Sequence, residues 1–518
     1  MFGGKHMSFD LDYSNTVLNS LTEDKVYLTN VGCDVVVPDS KPDVIKIISV
    51  SARADIKEIS VKKDRITFLG CINYDIVYFS DSESDRIKTI VYQAPMSHQD
   101  DFFDFSDGDS VSAEVVCHKC SFSLSNSRKI SLSTLVEFKV YAIHNQMIDM
   151  AATENEDYHL PCLTERINPI NRIMCINDRF AVEDTIEMDE GDLRELIKVH
   201  SVVADKEYKI ISNKTFVKGT LISDVIFYDE DMRINSRTHI TEFSEVIETR
   251  NLTQDMITDV SLEIACVSGE IYSDSDKCDI SLRAEIRVTL SAYEEISMDI
   301  VSDVYCPRCK TNVIKDTIKV YELSAIGEET ITLREIVDFD KDKCDKIALV
   351  ECDTKLKDKR IEKEKIRTNG VASFTLLYIG DSNSMIYSKT IDKEFESVTD
   401  AKGCMDNDKV STRVCFGEVD IKYLPGNKAE ISVPVIMEHT VLRYLEREYI
   451  KSVTIDEDCV YDKSKEASMT IHFAKDDDSL WNIAKSYHTT VEEIVKVNSL
   501  DEKIPLKTRQ LLLIPKHI

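Results

Sequence analysis

Two short cysteine pairs have the spacing best suited to chemistry, Cys117-His118-Lys119-Cys120 and Cys306-Pro307-Arg308-Cys309. Each Cys-x-x-Cys offers the bite that a tetrahedral zinc thiolate site uses, and two pairs would supply four sulfurs. Cys117, however, lies in a stretch that alternates polar and apolar residues, and the pairs fall in different copies of an internal repeat. They are therefore expected to be structural thiols, with no metal and no cofactor. The 15 cysteines are an odd number with no dense framework, and Met1 to Asp12 holds no apolar run of the signal-peptide kind. Reduced, mostly buried thiols are expected. The sequence contains no Gly-x-Ser-x-Gly elbow, His-Glu-x-x-His, Gly-x-x-x-x-Gly-Lys-[Ser/Thr] loop or Gly-x-Gly-x-x-Gly. Its 94 acidic residues leave room in composition for an unpatterned glycosidase pair. Catalysis is still not expected, because a catalytic constellation would occur in one copy of a repeat, and none stands out.

The second candidate chemistry is recognition, centred on the single tryptophan, Trp481. Leu480, Ile483, Ala484 and Tyr487 fall on one face of a two-turn helix. Asp477 or Asp478 is placed to cap it. Thr490 opens a second helix, with Glu493 in capping-box spacing and Val491, Ile494 and Val495 as its buried stripe. Met469 to Ala474 and Leu511 to Ile514 read as short strands, giving the order β-α-α-β. Leu480, Ile483, Tyr487 and Ile494 are the expected module core, and Trp481 is large and amphipathic enough to contact a partner as well.

This ordered series, from Asp478-Ser479-Leu480-Trp481 to Leu513-Ile514-Pro515, resembles a LysM domain. LysM modules bind N-acetylglucosamine polymers or, in some proteins, other proteins. The family usually carries Gly-Asp before the first helix, Gly after the Tyr, and Pro-Gly-Gln before the last strand. Here those places read Asp477-Asp478, His488 and Thr508-Arg509-Gln510. The resemblance places a ligand between the loop before the first helix and the loop after the second. Those loops hold Asp476, Asp477, Asp478, Asn498, Ser499, Leu500, Asp501 and Glu502, and Ser479 and Trp481 lie beside them. Five of those eight loop residues are acidic, which suits a basic protein surface better than an anionic wall polymer.

The rest of the chain repeats itself. Gly70 to Tyr78, Gly219 to Phe227 and Gly370 to Tyr378 share a glycine followed by an alternating apolar strand; the glycines lie 149 and 151 residues apart. Val111, Val260 and Val410 open a second matching strand, and Ile130, Ile280 and Ile431 a third. Period-two alternation, as in Ile280 to Val288, means one wet and one buried face. Asp107-Gly108-Asp109, Asn126-Ser127 and Pro425-Gly426-Asn427 read as turns. The expected fold is mainly β: three tandem antiparallel β-sandwich-like repeats of about 150 residues, each with a short helix, followed by the small βααβ module. The expected domains are 1–150, 174–300, 313–455 and 468–516, with linkers near 145–173, 294–313 and 456–468.

The repeats are similar to the SPOCS domain of spore-coat proteins. Val35-Val36-Val37-Pro38-Asp39-Ser40-Lys41-Pro42-Asp43 resembles the family's pre-strand segment, and Gly370 to Tyr378 its central strand. Three such copies followed by LysM resemble the SipL-like spore morphogenetic proteins. That resemblance implies a non-enzymatic adaptor in the mother-cell cytoplasm at the forespore surface and in the spore coat. It implies docking, mainly through LysM, on the coat-basement ATPase, stage IV sporulation protein A. Strand edges that could pair with neighbours add self-association to the expected partners. A net charge of −30 argues against a nucleic-acid partner, and no apolar run reaches the ~20 residues of a membrane span. A peptidoglycan- or N-acetylglucosamine-binding wall protein is the open alternative.

Overall fold

The structure is a computed structural model. It describes residues 13–21, 25–62, 65–82, 86–101, 110–151, 160–189, 193–274, 277–339, 344–380, 382–462, 467–476, 478–501 and 506–516. It is built almost entirely of antiparallel strands. The first group comprises β1 (Tyr13–Leu21), β2 (Lys25–Val36), β3 (Val44–Lys62), β4 (Arg65–Ser80), β5 (Ile87–Asp101), β6 (Ser110–Asn126) and β7 (Lys129–Ala151). The second comprises β8 (Cys162–Ile167), β9 (Ile170–Ile186), β10 (Glu195–Ile211), β11 (Lys214–Tyr228), β12 (Ile234–Glu248), β13 (Ile257–Asp274), β14 (Lys277–Glu295) and β15 (Met298–Val304). The third comprises β16 (Cys309–Asp338), β17 (Cys344–Ile361), β18 (Lys365–Gly380), β19 (Met385–Asp400), β20 (Lys409–Phe416), β21 (Asp420–Leu424) and β22 (Lys428–Val460). The chain then forms β23 (Met469–Phe473), α1 (Leu480–Ser486), α2 (Val491–Asn498) and β24 (Leu511–Pro515).

Each large group is a sandwich of the same two sheets. One is a meander, β3-β4-β5, β10-β11-β12 or β17-β18-β19. The other is centred on a long return strand: β7 between β2 and β6, β14 between β9 and β13, and β22 paired with β16, β20 and β21. Alternation along the strands sends one set of side chains between the sheets. Ile72, Tyr74, Ile76 and Tyr78 do so from β4, and Ala372, Phe374, Leu376 and Tyr378 from β18. Among the described residues both helices belong to the C-terminal module, and no repeat shows the short helix expected of it.

The repeated glycine has a steric reason. A Cβ on Gly70 would run into the carbonyl oxygen of Asp55, and one on Gly370 would lie 2.7 Å from that of Lys355. On Gly219 it would lie 2.7 Å from the Phe243 ring and 3.3 Å from the Ala204 carbonyl oxygen. The neighbouring strand is bulged just beyond each of these carbonyls, after Ile56, Ala204 and Leu356. The bulge pushes the backbone inward, and only a residue without a side chain fits beneath it.

The three sandwiches close around a pseudo-threefold axis. Val77, Ile226 and Leu377 each lie seven residues after the landmark glycine, and they meet in one core with Ile87, Ile234 and Ile386 from the paired strands. Each such side chain removed from water contributes roughly 1.5–3 kcal/mol. A polar cluster lies alongside: Ser51, His200 and Glu351, which hold the same register position in the three repeats. Lys198 reaches Glu351 at 2.7 Å and donates to Ser51 Oγ at 2.6 Å, while Ser51 donates to Glu351 at 2.7 Å. Ion pairs tie the rims: Arg179 and Arg287 to Asp55, Lys206 to Glu438, and Arg413 to both Asp259 and Glu114.

The stretches expected to be linkers are largely strands. β8 pairs with β15, the end of β7 with β1, and the start of β16 with the end of β22. These three arms share a second axial core, with Leu18, Ile148, Ile167, Ile300, Ile318 and Tyr449. Their apolar residues alternate over only a few positions each, which is why they read as connections.

Candidate functional site

The C-terminal module is a βααβ unit in which β23 pairs with β24, Phe473 opposite Leu511 and Met469 opposite Pro515. The α1 cap is Ser479, whose Oγ accepts the Asn482 N–H at 3.1 Å. Asp478 does not cap it. Its carboxylate accepts the Lys475 N–H at 2.9 Å and bonds His472 Nε2 at 2.8 Å, which hold it below the usual carboxylate range. Asp477, the other expected cap, lies outside the described residues. At α2 the expected capping box is present: Thr490 Oγ1 accepts the Glu493 N–H at 3.2 Å and Glu493 accepts the Thr490 N–H at 3.4 Å.

Two of the three places where the sequence lacks the customary glycines keep a glycine-like backbone. His488 has φ +51° and Arg509 φ +63°, both left-handed. A side chain there costs energy that glycine avoids. At His488 the imidazole stacks on Tyr461 with ring centroids 3.7 Å apart, which offsets part of it.

The other predicted residues separate into two sets. Leu480, Ile483 and Ile494 are buried with Ala474, Ala484, Val491, Leu512 and Ile514; Tyr487 and Leu500 pack against them, half-buried. Asn498 is engaged internally. Its amide donates to the carbonyls of Ile494 and Leu513 at 2.8 and 2.6 Å, and its oxygen accepts the Leu513 N–H at 2.7 Å, pinning α2 to β24. Asp476, Ser499 and Asp501 are exposed, and Asp476 bonds Thr508. Glu502 lies outside the described residues.

Trp481 faces the body of the protein. Its Nε1–H donates to Asp303 Oδ2 at 2.9 Å, and its ring meets Tyr305 edge-on, centroids 5.0 Å apart at 74°. Lys485 also bonds Asp303, at 2.7 Å. Burial opposes ionisation of Asp303, but Lys485 and the indole N–H hold its carboxyl below the ordinary range. Tyr305 belongs to the module's core although it follows β15. Asp303, Tyr305 and Tyr461 were not among the sequence candidates; no local pattern marks them, because their partners are distant in sequence.

The exposed side of the ribbon is apolar. Met469, Ile471 and Phe473 are 45%, 57% and 61% exposed, and Leu511, opposite Phe473, is 50% exposed.

The thiols divide differently from expectation. Cys71, Cys306 and Cys404 are buried, whereas Cys175, Cys266 and Cys459 are exposed and the other nine are half-buried. Strand alternation puts many of them at partly wet positions. Among the described residues no group of three or more His, Cys, Asp or Glu side chains is placed to hold a metal ion.

A family model for the LysM domain matches residues 474–515, and one described as SipL, SPOCS domain, matches residues 192–271. The chain thus carries a segment similar to the SipL SPOCS domain and a C-terminal LysM domain, the arrangement expected of a SipL-like protein. The SPOCS match lies on the second sandwich, from before β10 into β13. Both domains are non-catalytic binding domains, and together they fit a sporulation coat-related adaptor or a LysM cell-wall binder. No curated protein and no solved structure matched the chain. No helix among the described residues is long and apolar enough to cross a membrane.

Proposed function

We propose that this SipL-like chain is a non-enzymatic adaptor of spore-coat assembly at the forespore surface in the mother cell. In this reading the three SPOCS-like repeats form a rigid body, and the LysM domain docks on a protein partner. A coat-basement ATPase of the stage IV sporulation protein A type is the proposed partner. The observation that carries the reading is the apolar strip of Met469, Ile471, Phe473 and Leu511, exposed on one face of the β23–β24 ribbon. Contiguous exposed apolar surface of this kind marks protein contacts. Acidic Asp476 and Asp501, exposed on the module's loops, suit a basic rim on the partner.

The test is a pull-down of the ATPase by the full-length chain, by the chain truncated after Lys463, and by the strip variant Ile471→Asp/Phe473→Asp. Capture by the full-length chain alone supports the reading. Retention by the truncation overturns the assignment of docking to LysM.

A second reading, glycan binding, draws on the LysM match itself. Because Trp481 is the only tryptophan, fluorescence of the full-length protein reports on this module alone. An emission change with N-acetylglucosamine oligomers favours the glycan; no change with the oligomers, together with capture of the ATPase in the pull-down, favours the adaptor.

A further inference from the structure

Three separate contacts seat the LysM domain on the repeat body, and two of them close on its only tryptophan. Asp303 lies in β15, fixed by pairing with Leu163 of β8. Its carboxylate accepts the Trp481 indole N–H at 2.9 Å and two contacts from Lys485 Nζ at 2.7 and 2.8 Å. Tyr305, two residues on, lies edge-on to the indole and donates its hydroxyl to the Thr489 carbonyl at 2.7 Å. Tyr461, just past β22, has its N–H on the Arg308 carbonyl at 2.9 Å and its ring on His488. The strap 303–308 and the exit of β22 therefore grip the module from the body side.

We propose that Asp303 and Tyr305 form a latch that holds the LysM domain closed on the repeats, keeps Trp481 half-buried with its indole N–H engaged, and hinders access of any ligand of the module to it. Asp303 is a positioning residue in this device. It orients the indole and the Lys485 ammonium through charge-assisted bonds, which are strong and directional. The seat rests on few groups, the Asp303 carboxylate, the Tyr305 ring and hydroxyl and the Tyr461 ring, and small contacts between domains of one chain permit relative motion. A ligand that needs the indole face would bind only the fraction of molecules with the latch open, so its apparent affinity would fall by that fraction. A partner engaging the Met469–Phe473 strip on the ribbon would not compete with the latch.

The test uses the full-length protein and the neutral quencher acrylamide, with no partner present, so its outcome is independent of which partner the module binds. Asp303→Ala is expected to red-shift Trp481 emission and raise the acrylamide quenching constant. Far-UV circular dichroism should keep the wild-type strand signal. Asp303→Glu should restore part of the protection, which a residue serving only as packing would not. Lys485→Gln removes the ammonium alone, keeps the indole bond, and should shift both readings in the same direction by less; it also carries the test should Asp303→Ala fail to fold. Wild-type emission and quenching in both Asp303→Ala and Lys485→Gln would overturn the latch, as would a wild-type tryptophan as accessible as free N-acetyltryptophanamide.

Discussion

Tyr305 donates its hydroxyl to the backbone carbonyl of Thr489 at 2.7 Å, joining positions 184 residues apart. Both residues are buried, and Tyr305 lies in the core of a module whose own chain begins far downstream. The LysM domain is thus completed by a side chain from the repeat body. Tyr305→Phe keeps the ring and leaves the Thr489 carbonyl without this donor in a dry site, a loss of about 1–3 kcal/mol. Urea unfolding followed by Trp481 emission should show an earlier midpoint for the variant. An unchanged midpoint would mean that the carbonyl finds water and the contact is dispensable.

The repeated glycines should respond unequally to alanine. At Gly70 and Gly370 the obstacle includes a backbone carbonyl held by a bulge, which moves only with its strand. At Gly219 the nearest obstacle is the rim of the Phe243 ring, which can tilt, and the Ala204 carbonyl is farther away. Gly70→Ala and Gly370→Ala are expected to cost roughly 1–3 kcal/mol, as overpacking generally does, and Gly219→Ala less. Thermal midpoints of the three single variants decide it; an equal loss at all three sites would contradict the steric account.

Much of the fold was legible because period-two alternation and the triplicated glycine strand are local signals. Gly70, Gly219 and Gly370 marked the repeat before any contact was known, and Thr490 with Glu493 marked α2. The axis was not legible. Val77, Ile226 and Leu377 read as ordinary apolar strand residues, and nothing local distinguishes the one facing its own core from the one facing two other repeats. The α1 cap was read as Asp477 or Asp478 rather than Ser479 because three aspartates precede the serine, and only the bonds of Asp478 to His472 and Lys475 show that its carboxylate is already engaged. The seat of Trp481 was invisible for a simpler reason: Asp303 is one aspartate among many, and its partner lies 178 residues away.

The thiols should react in an order set by exposure and by their surroundings. Cys175 and Cys459 are exposed and should be alkylated first. Cys266 is also exposed, but partial burial and the Glu285 carboxylate raise its pKa, so it should follow. Burial pushes Cys117 and Cys352 up to about 12, and these should be among the last in the native protein. Mass spectrometry of iodoacetamide-treated protein over time reads the order directly. Early modification of Cys117 would show that its strand opens.

The polar cluster on the axis should make the three-repeat body sensitive to acid. His200 is driven from its ordinary 6.5 to about 3, first by burial and then by the Arg53 guanidinium. The unfolded chain therefore takes up a proton there before the folded one does, and stability falls as pH drops from 6.5 toward 3. Burial works against ionised Glu351, but Lys198 and the neighbouring groups hold its carboxyl at about 2, below the ordinary 4.5. Its contribution is complete above pH 4.5 and is lost as pH falls toward 2. Asp353, raised by burial to about 6, acts in the opposite sense and gains stability as pH falls from 6 toward 3.8. His200→Gln removes the first of these while Lys198 still holds Glu351, so the difference between its urea midpoint and that of the wild type should narrow as pH falls from 6.5. Glu351→Gln instead leaves Lys198, 2% exposed at its side chain, without its carboxylate, and should cost roughly 3–5 kcal/mol at neutral pH. Parallel wild-type and His200→Gln curves across that range would show that His200 does not titrate between the folded and unfolded states as its burial requires.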